Sequence, residues 1–479
     1  MDPSEFRRSG HALVEWIAAY LSGFEKYPVL PRVAPGEVRS ALPDRAPEVG
    51  EPFEAIFDDF ERVLVPALTH WNHPGFFAYF PATTSASGVL AEFLSAALNQ
   101  NAMLWRTSPA ATELEEVSLG WLRRLLNLPD AFEGVIYDTA SISSLHALAA
   151  ARQAAVPHVR EQGLAARADL RPMRIYCSEQ AHSSIDKAVL TLGFGHASLR
   201  KIPVDSRFSM RIDALRAAID DDARAGVTPV AVVATIGTTS TTGVDPVASV
   251  ADFCRERRIW LHVDAAYAGV TAMLPECAQY FSGWDRADSI VVNPHKWLFT
   301  PFDLSAFYCR RMDVVREAFS LVPDYLKTAE GNAGVRNLMD TGVQLGRRFR
   351  ALKLWMILRH FGAQRLREIL REHIRLAQQF ARAVDEHPDF ERLAPTPFAT
   401  VCFRANPRGV SVTPAELDRL NECVLDRVNA SGEVFLSHTR LTGAFAIRIS
   451  IGHLRTSAVH TDRAWELLVE HTAALAHAR

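Results

Sequence analysis

Between roughly residues 86 and 360, short runs of apolar, β-branched residues alternate with segments of helical periodicity. Residues 134–137, 174–177, 230–235, 259–264 and 289–292 are examples. Each run is apolar at consecutive positions rather than at every second one, as in a strand with both faces covered. Helices between successive strands supply that cover, so the pattern predicts an α/β domain built on a mostly parallel sheet. Ligands of such sheets sit beyond the carboxyl ends of the strands, and Asp264 and Asn293 fall at two of those ends.

A chain of 479 residues exceeds one ordinary core. The flanks differ from the middle. Residues 6–25 and about 53–68 show helical periodicity, separated by a proline-dotted stretch from Pro28 to Pro52. That arm, residues 1–85, has little core of its own and is expected to pack on a partner subunit. Beyond residue 361 the order becomes helix, strand, helix, two strands, helix, with strands over 399–404, 434–438 and 444–451. This predicts a small α+β domain over 361–479, after a large domain over 86–360.

Composition removes several classes of function. A net charge of −3 gives no footprint for nucleic acid or an anionic membrane. No apolar stretch approaches the roughly 18–20 residues of a membrane span. The start, Met1-Asp2-Pro3-Ser4-Glu5, lacks the basic and apolar regions of a secretory signal, so a cytoplasmic protein is expected. Six cysteines without CxxC spacing suit free thiols better than disulfides or a metal site. Gly193-Phe194-Gly195 has Ser198 where a dinucleotide fingerprint needs its third glycine. GxxxxGK[ST], HExxH and GxSxG are absent, which removes support for an ATPase, a zinc hydrolase and a serine esterase.

Lys296 lies within Asn293-Pro294-His295-Lys296-Trp297, among apolar and aromatic neighbours. A lysine in such surroundings can lose its proton and attack an aldehyde cofactor. Asp264 closes the apolar strand that precedes it. A carboxylate there can keep the pyridine nitrogen of pyridoxal phosphate protonated, making the ring an electron sink.

These two residues and their flanks resemble the aromatic L-amino acid decarboxylases, the group II pyridoxal-phosphate decarboxylases. The resemblance runs almost end to end. It covers Asp2-Pro3-Ser4-Glu5-Phe6-Arg7-Arg8, Thr69-His70-Trp71 with Phe76-Phe77-Ala78-Tyr79-Phe80-Pro81, and Gln180-Ala181-His182-Ser183-Ser184. It continues through Val233-Ala234-Thr235-Ile236-Gly237-Thr238-Thr239, the stretch from His262 to Gly269, and Leu345-Gly346-Arg347-Arg348-Phe349-Arg350.

The resemblance implies fold type I of the pyridoxal-phosphate enzymes and decarboxylation of aromatic L-amino acids to amines in a homodimer with shared active sites. Lys296 would carry the cofactor and Asp264 would bind its ring nitrogen. His182 would stack on the ring and reach the substrate carboxylate, although a histidine there could also cap a helix start. Thr139, Ala140, Ser141 and Asn293 would hold the phosphate, with His295 nearby. Asp138 stands where a glycine is common, and Ile142 where a glutamate is common. Thr239 would lie near carbon 3 of the ring, Ala266 would leave room for its face, and Asp245 would fix local geometry.

Tyr325 would sit on a mobile loop and deliver the proton that completes the amine. Leu345 and Gly346 would reach the partner's site, and Gly346 favours bulky rings, including indole. Tyr79, Phe80 and Pro81 match pocket residues. Asn101 and Met103 match positions that approach from the other subunit and are more apolar in the animal enzymes. Two alternatives stay open on the same cofactor: an aromatic acetaldehyde synthase, and a decarboxylase of a non-aromatic acid such as glutamate. No metal is implied.

Overall fold

A computed structural model describes residues 1–321, 334–408 and 413–477. The chain forms two compact units, one of residues 82–378 with 394–402, the other of residues 1–81, 379–393 and 403–479.

The larger unit holds seven strands: β1 (Glu133–Tyr137), β2 (Met173–Ser178), β3 (Leu199–Ile202), β4 (Thr228–Thr235), β5 (Trp260–Asp264), β6 (Ser289–Val292) and β7 (Ser305–Cys309). Their order across the sheet is β1-β7-β6-β5-β4-β2-β3. The pairs from β3 through β6 are parallel, whereas β7 runs antiparallel to both β6 and β1. The expected mostly parallel sheet is present, with one reversal. Residues 293–304 contain a single helical turn, and the chain returns beside β6 instead of crossing a sheet face. β3 (Leu-Arg-Lys-Ile) lacks the continuous apolar run that marks the central strands. β5 and β6 are buried along their whole length, which accounts for their unbroken apolar sequence.

The helix Ala140–Ala155 crosses this sheet, and Ala147, Leu148, Ala150 and Ala151 enter a core with Val135, Ile175, Val233 and Phe307. Buried hydroxyls set its position. Ser143 Oγ lies 2.8 Å from Ser305 Oγ, and Ser144 Oγ lies 3.1 Å from His262 Nε2. His262 Nδ1 lies 3.0 Å from Ser289 Oγ, which also accepts from Trp260 Nε1 at 3.0 Å. Two polar links thus tie the helix to the sheet, Ser143 to β7 and Ser144 through His262 to β5 and β6.

The second unit contains β8 (Phe390–Arg392), β9 (Thr400–Ala405), β10 (Ser437–Leu441) and β11 (Ala444–Ser450), in the order β10-β11-β9-β8. β9 belongs to this unit from Phe403 onward. The helices Pro414–Ala430 and Ala458–His477 complete the expected small α+β pattern. The amino-terminal arm lies in the same unit. Its helix Pro3–Ser22 begins with a capping box between Asp2 and Glu5. Val29 N donates to Gly432 O at 2.8 Å, Phe435 N to Gly75 O at 3.0 Å and Phe77 N to Phe435 O at 2.8 Å. Val29, Phe76 and Ala78 form an apolar cluster with Phe435. An arm without a core of its own thus finds one in carboxyl-terminal residues of its own chain. The change of pattern near residue 361 marks Gly362, at φ 67°, inside the helical stretch Ala351–Glu386. A left-handed glycine interrupts the periodicity there without ending the stretch.

Candidate active site

Asp264 ends β5 beside Thr235 of β4 and Val291 of β6. One of its carboxylate oxygens accepts from Ala266 N at 3.1 Å, so the residue after next holds the group at the strand end. Asp245 clamps the neighbouring strand, accepting from Thr235 N and Met210 N, each at 2.8 Å. Burial pushes this carboxyl up to about 7, against those two amides. Gly237, just past β4, stands at φ 88°, and a side chain there would come within 2.7 Å of Ala268 Cβ. This is the turn that carries Thr239, which is exposed.

Lys296 lies on the one-turn helix Pro294–Trp297 that follows β6, and it is half-buried. Its neighbours fix that turn. Asn293 N donates to Ala266 O at 3.0 Å, bringing the two strand ends together. Trp297 is fully buried, stacks on Tyr267 with centroids 4.6 Å apart and donates to His373 Nδ1 at 2.9 Å. His295 Nδ1 accepts from Leu304 N at 2.9 Å. Burial, reinforced by the Lys296 charge, pushes His295 down to about 3. A neutral ring that accepts at Nδ1 carries its proton on Nε2. Asn293 Nδ2 lies 3.3 Å from that Nε2, donor facing donor. Turning the carboxamide end for end lets its oxygen accept from His295. The amide nitrogen then takes the place of Oδ1, which is buried with no partner among the described residues. Asn293 therefore offers a spare buried donor, the chemistry that a phosphate oxygen requires.

His182 precedes the helix Ser184–Thr191, and its Nδ1 accepts from Ser184 N at 3.1 Å. The ring does cap a helix start, and it also lies within electrostatic reach of the two central residues. Burial holds it below its ordinary value, the Asp264 charge opposes that shift and the Lys296 charge adds to it. Lys296, Asp264 and His182 are thus brought together at the carboxyl ends of the strands.

Thr139 caps the helix Ala140–Ala155, whose first-turn amides at Ala140 and Ser141 point out of its amino end. Asp138 stands directly before it. The segment carrying Leu345 and Gly346 is held by the residues on either side of it. Gln344 Nε2 donates to Asp138 Oδ2 at 3.3 Å, and Arg347 N donates to Asn101 Oδ1 at 2.9 Å. The Arg347 guanidinium reaches Ile136 O at 2.7 Å and Glu115 Oε1 at 2.8 Å, and Glu115 Oε1 accepts from Ile136 N at 2.8 Å. Met103 packs with Leu104 and Met339. Among the described residues a Cβ at Gly346 would meet only Asn101, at 3.9 Å, so packing among them does not require glycine there.

Tyr79, Phe80 and Pro81 belong to the other unit. Tyr79 is 55% exposed at φ 53°, and Phe80 lies under the Arg448 guanidinium at 4.6 Å. Tyr325 lies outside the described residues. Ser143, Ser144, Glu115 and Gln344 carry no motif of their own, and His262 opens the stretch that ends at Gly269 without a role assigned to it there. Glu115 is one of three acids in Glu113-Leu114-Glu115-Glu116, and spacing alone does not say which one is buried.

The profile of the family described as pyridoxal-dependent decarboxylase conserved domain matches residues 35–406. A phenylacetaldehyde synthase of Arabidopsis thaliana is 40% identical, over 100% of this chain and 98% of its own. An aromatic-L-amino-acid decarboxylase of Sus scrofa is 40% identical, over 97% of this chain and 96% of its own. The crystal structure of Oryza sativa TDC with PLP and tryptamine superposes with a TM-score of 0.95 at 36% identity, covering 99% of both chains.

Proposed function

This chain belongs to the pyridoxal-dependent decarboxylase family, and from that premise we propose that it decarboxylates aromatic L-amino acids to amines and carbon dioxide with pyridoxal phosphate. The observation that carries the reading is the grouping of Lys296, Asp264 and His182 at the ends of a parallel sheet, in a chain alike over its full length to aromatic amino acid enzymes. Those relatives favour an aromatic substrate over an acidic one.

When bound, the cofactor supplies an aldehyde for an amine and a ring that accepts the electrons left by carbon dioxide. The residues supply the rest. Lys296 provides the amine, and the Asp264 carboxylate holds the proton on the ring nitrogen. The His182 ring, neutral through burial, covers a ring face without placing another cation beside Lys296. The amides and hydroxyls of Thr139, Ala140 and Ser141, with the spare Asn293 donor, suit the phosphate. His295 orients Asn293. Thr239 and Ala266 border the ring, and Leu345, Gly346, Asn101 and Met103 serve the pocket of a neighbouring subunit. Tyr79, Phe80 and Pro81 match substrate-pocket positions. Tyr325 donates the final proton. The Arabidopsis thaliana relative keeps a second outcome open, oxidation to an aldehyde, and the tyrosine at 325 favours the amine.

A homodimer is supported by the helix Ala86–Leu98. Leu90, Phe93, Leu94 and Leu98 make one apolar stripe at helical spacing, and each is about half exposed. A second copy of this chain is the occupant that the sharing of sites calls for. Among the described residues no helix is long and apolar enough to cross a membrane. Residence in the cytoplasm is part of the proposal.

The test combines cofactor and product. Wild-type protein loaded with pyridoxal phosphate should show visible absorbance that borohydride bleaches, and should release amines from one or more of tryptophan, phenylalanine, tyrosine and dihydroxyphenylalanine. Lys296→Ala should lose the bleachable band and reduce turnover by about 10³-fold or more. Steady turnover by that variant, or products from glutamate alone, would overturn the assignment.

A further inference from the structure

We propose that the Asp138 carboxylate is a built-in occupant of the phosphate cup, competing with the cofactor's phosphate and lowering the affinity of the protein for it. The proposal rests on the cofactor reading above and concerns a residue that departs from the family pattern.

Asp138 Oδ1 accepts from Thr139 N at 2.5 Å and from Thr139 Oγ1 at 3.1 Å. Thr139 is the amino-terminal cap of a 16-residue helix, yet its hydroxyl makes no capping bond. An uncommitted threonine at that position would accept from an amide of the first turn. Here the hydroxyl is turned toward a carboxylate instead. The amide and hydroxyl that should greet a phosphate are both taken by an anion from the chain itself.

The positive end of the helix favours a negative group at this point, and the aspartate supplies one before any ligand arrives. Its donors, Thr139 and Gln344, are all neutral. Withdrawal of the carboxylate therefore leaves no cation unpaired, and the donors pass to the phosphate. Gln344 Nε2, 3.3 Å from Oδ2, offers the displaced carboxylate a place to remain. A carboxylate and a phosphate that carries between one and two charges then sit side by side, which weakens retention of the cofactor. Asn293 lies at another strand end and is untouched by the exchange.

Apoprotein titrated with pyridoxal phosphate, and separately with pyridoxal, separates this role from a structural one. Binding is read from the visible band and from quenching of tryptophan fluorescence. Asp138→Gly, which frees the donors and removes the charge, should lower the Kd for pyridoxal phosphate about tenfold. Asp138→Asn, which removes the charge and keeps an acceptor and the shape, should lower it about threefold. Neither should change the Kd for pyridoxal by more than about twofold, because that aldehyde has no phosphate to compete. Unchanged or weaker binding of pyridoxal phosphate by both variants would overturn the proposal. So would an equal gain for pyridoxal, which would trace the effect to the fold and not to the cup. Wild-type protein that forms no borohydride-sensitive adduct would instead refute the cofactor reading itself.

Discussion

His182 and His295 both lie within reach of the Lys296 charge, and burial keeps both rings neutral. The consequence is local. Each ring accepts a backbone amide at Nδ1, and neither adds positive charge beside the lysine. For the proton that completes the amine, the proposed donor is Tyr325. Phenylalanine at that position preserves the ring and removes only the hydroxyl. Tyr325→Phe should therefore slow amine formation by about 10²-fold or more, the scale of a lost general acid. Under air, aldehyde, ammonia and peroxide should replace the amine. Product analysis under air and under nitrogen measures this, and amine released at near wild-type rate in both would remove Tyr325 as the donor.

At the scale of elements, the site is assembled by polar groups that the apolar pattern does not announce. Ser143 and Ser144 lie on the sheet-facing side of the helix Ala140–Ala155, where periodicity leads one to expect aliphatic residues. They fix how far the helix slides along the strands, and so where its amino end falls. Arg347 and Glu115 do the same for the segment carrying Leu345 and Gly346. Their side chains are 6% and 3% exposed and close around the Ile136 peptide. Removing one member of such a pair strands the other charge without water. Arg347→Ala should destabilise the protein by about 3–5 kcal/mol, seen as an earlier urea midpoint. Arg347→Lys should recover only part of this, since an ammonium lacks the planar fork that reaches both a carboxylate and a carbonyl. A loss below about 1 kcal/mol for Arg347→Ala would mean that the segment holds itself in place.

At the scale of the molecule, the apolar stripe of Leu90, Phe93, Leu94 and Leu98 calls for a partner surface. Leu94→Glu places a charge in the middle of it. On the proposed homodimer, the variant should sediment as a monomer and lose most activity while keeping its far-ultraviolet dichroism, because the neighbouring site proposed for Asn101, Met103, Leu345 and Gly346 would be lost. An unchanged dimer would assign the stripe to another role. Much of this protein is legible in its sequence. Consecutive apolar runs require strands buried on both faces, which yields the mostly parallel sheet, and the flanks of Lys296 and Asp264 name the cofactor chemistry without coordinates. Tertiary structure alone decided the rest. The arm shares its core with residues some 400 positions later because Val29 and Phe76 meet Gly432 and Phe435, a pairing that no local period encodes. Gly362 looks like an end in sequence and proves to be an interruption. Which acid of Glu113, Glu115 and Glu116 is buried depends on Arg347, far along the chain. Which donor of Asn293 is spare and which way Asp138 points depend on local geometry that residue types do not specify. Sequence sets what each residue can bond, and only the fold sets what it meets.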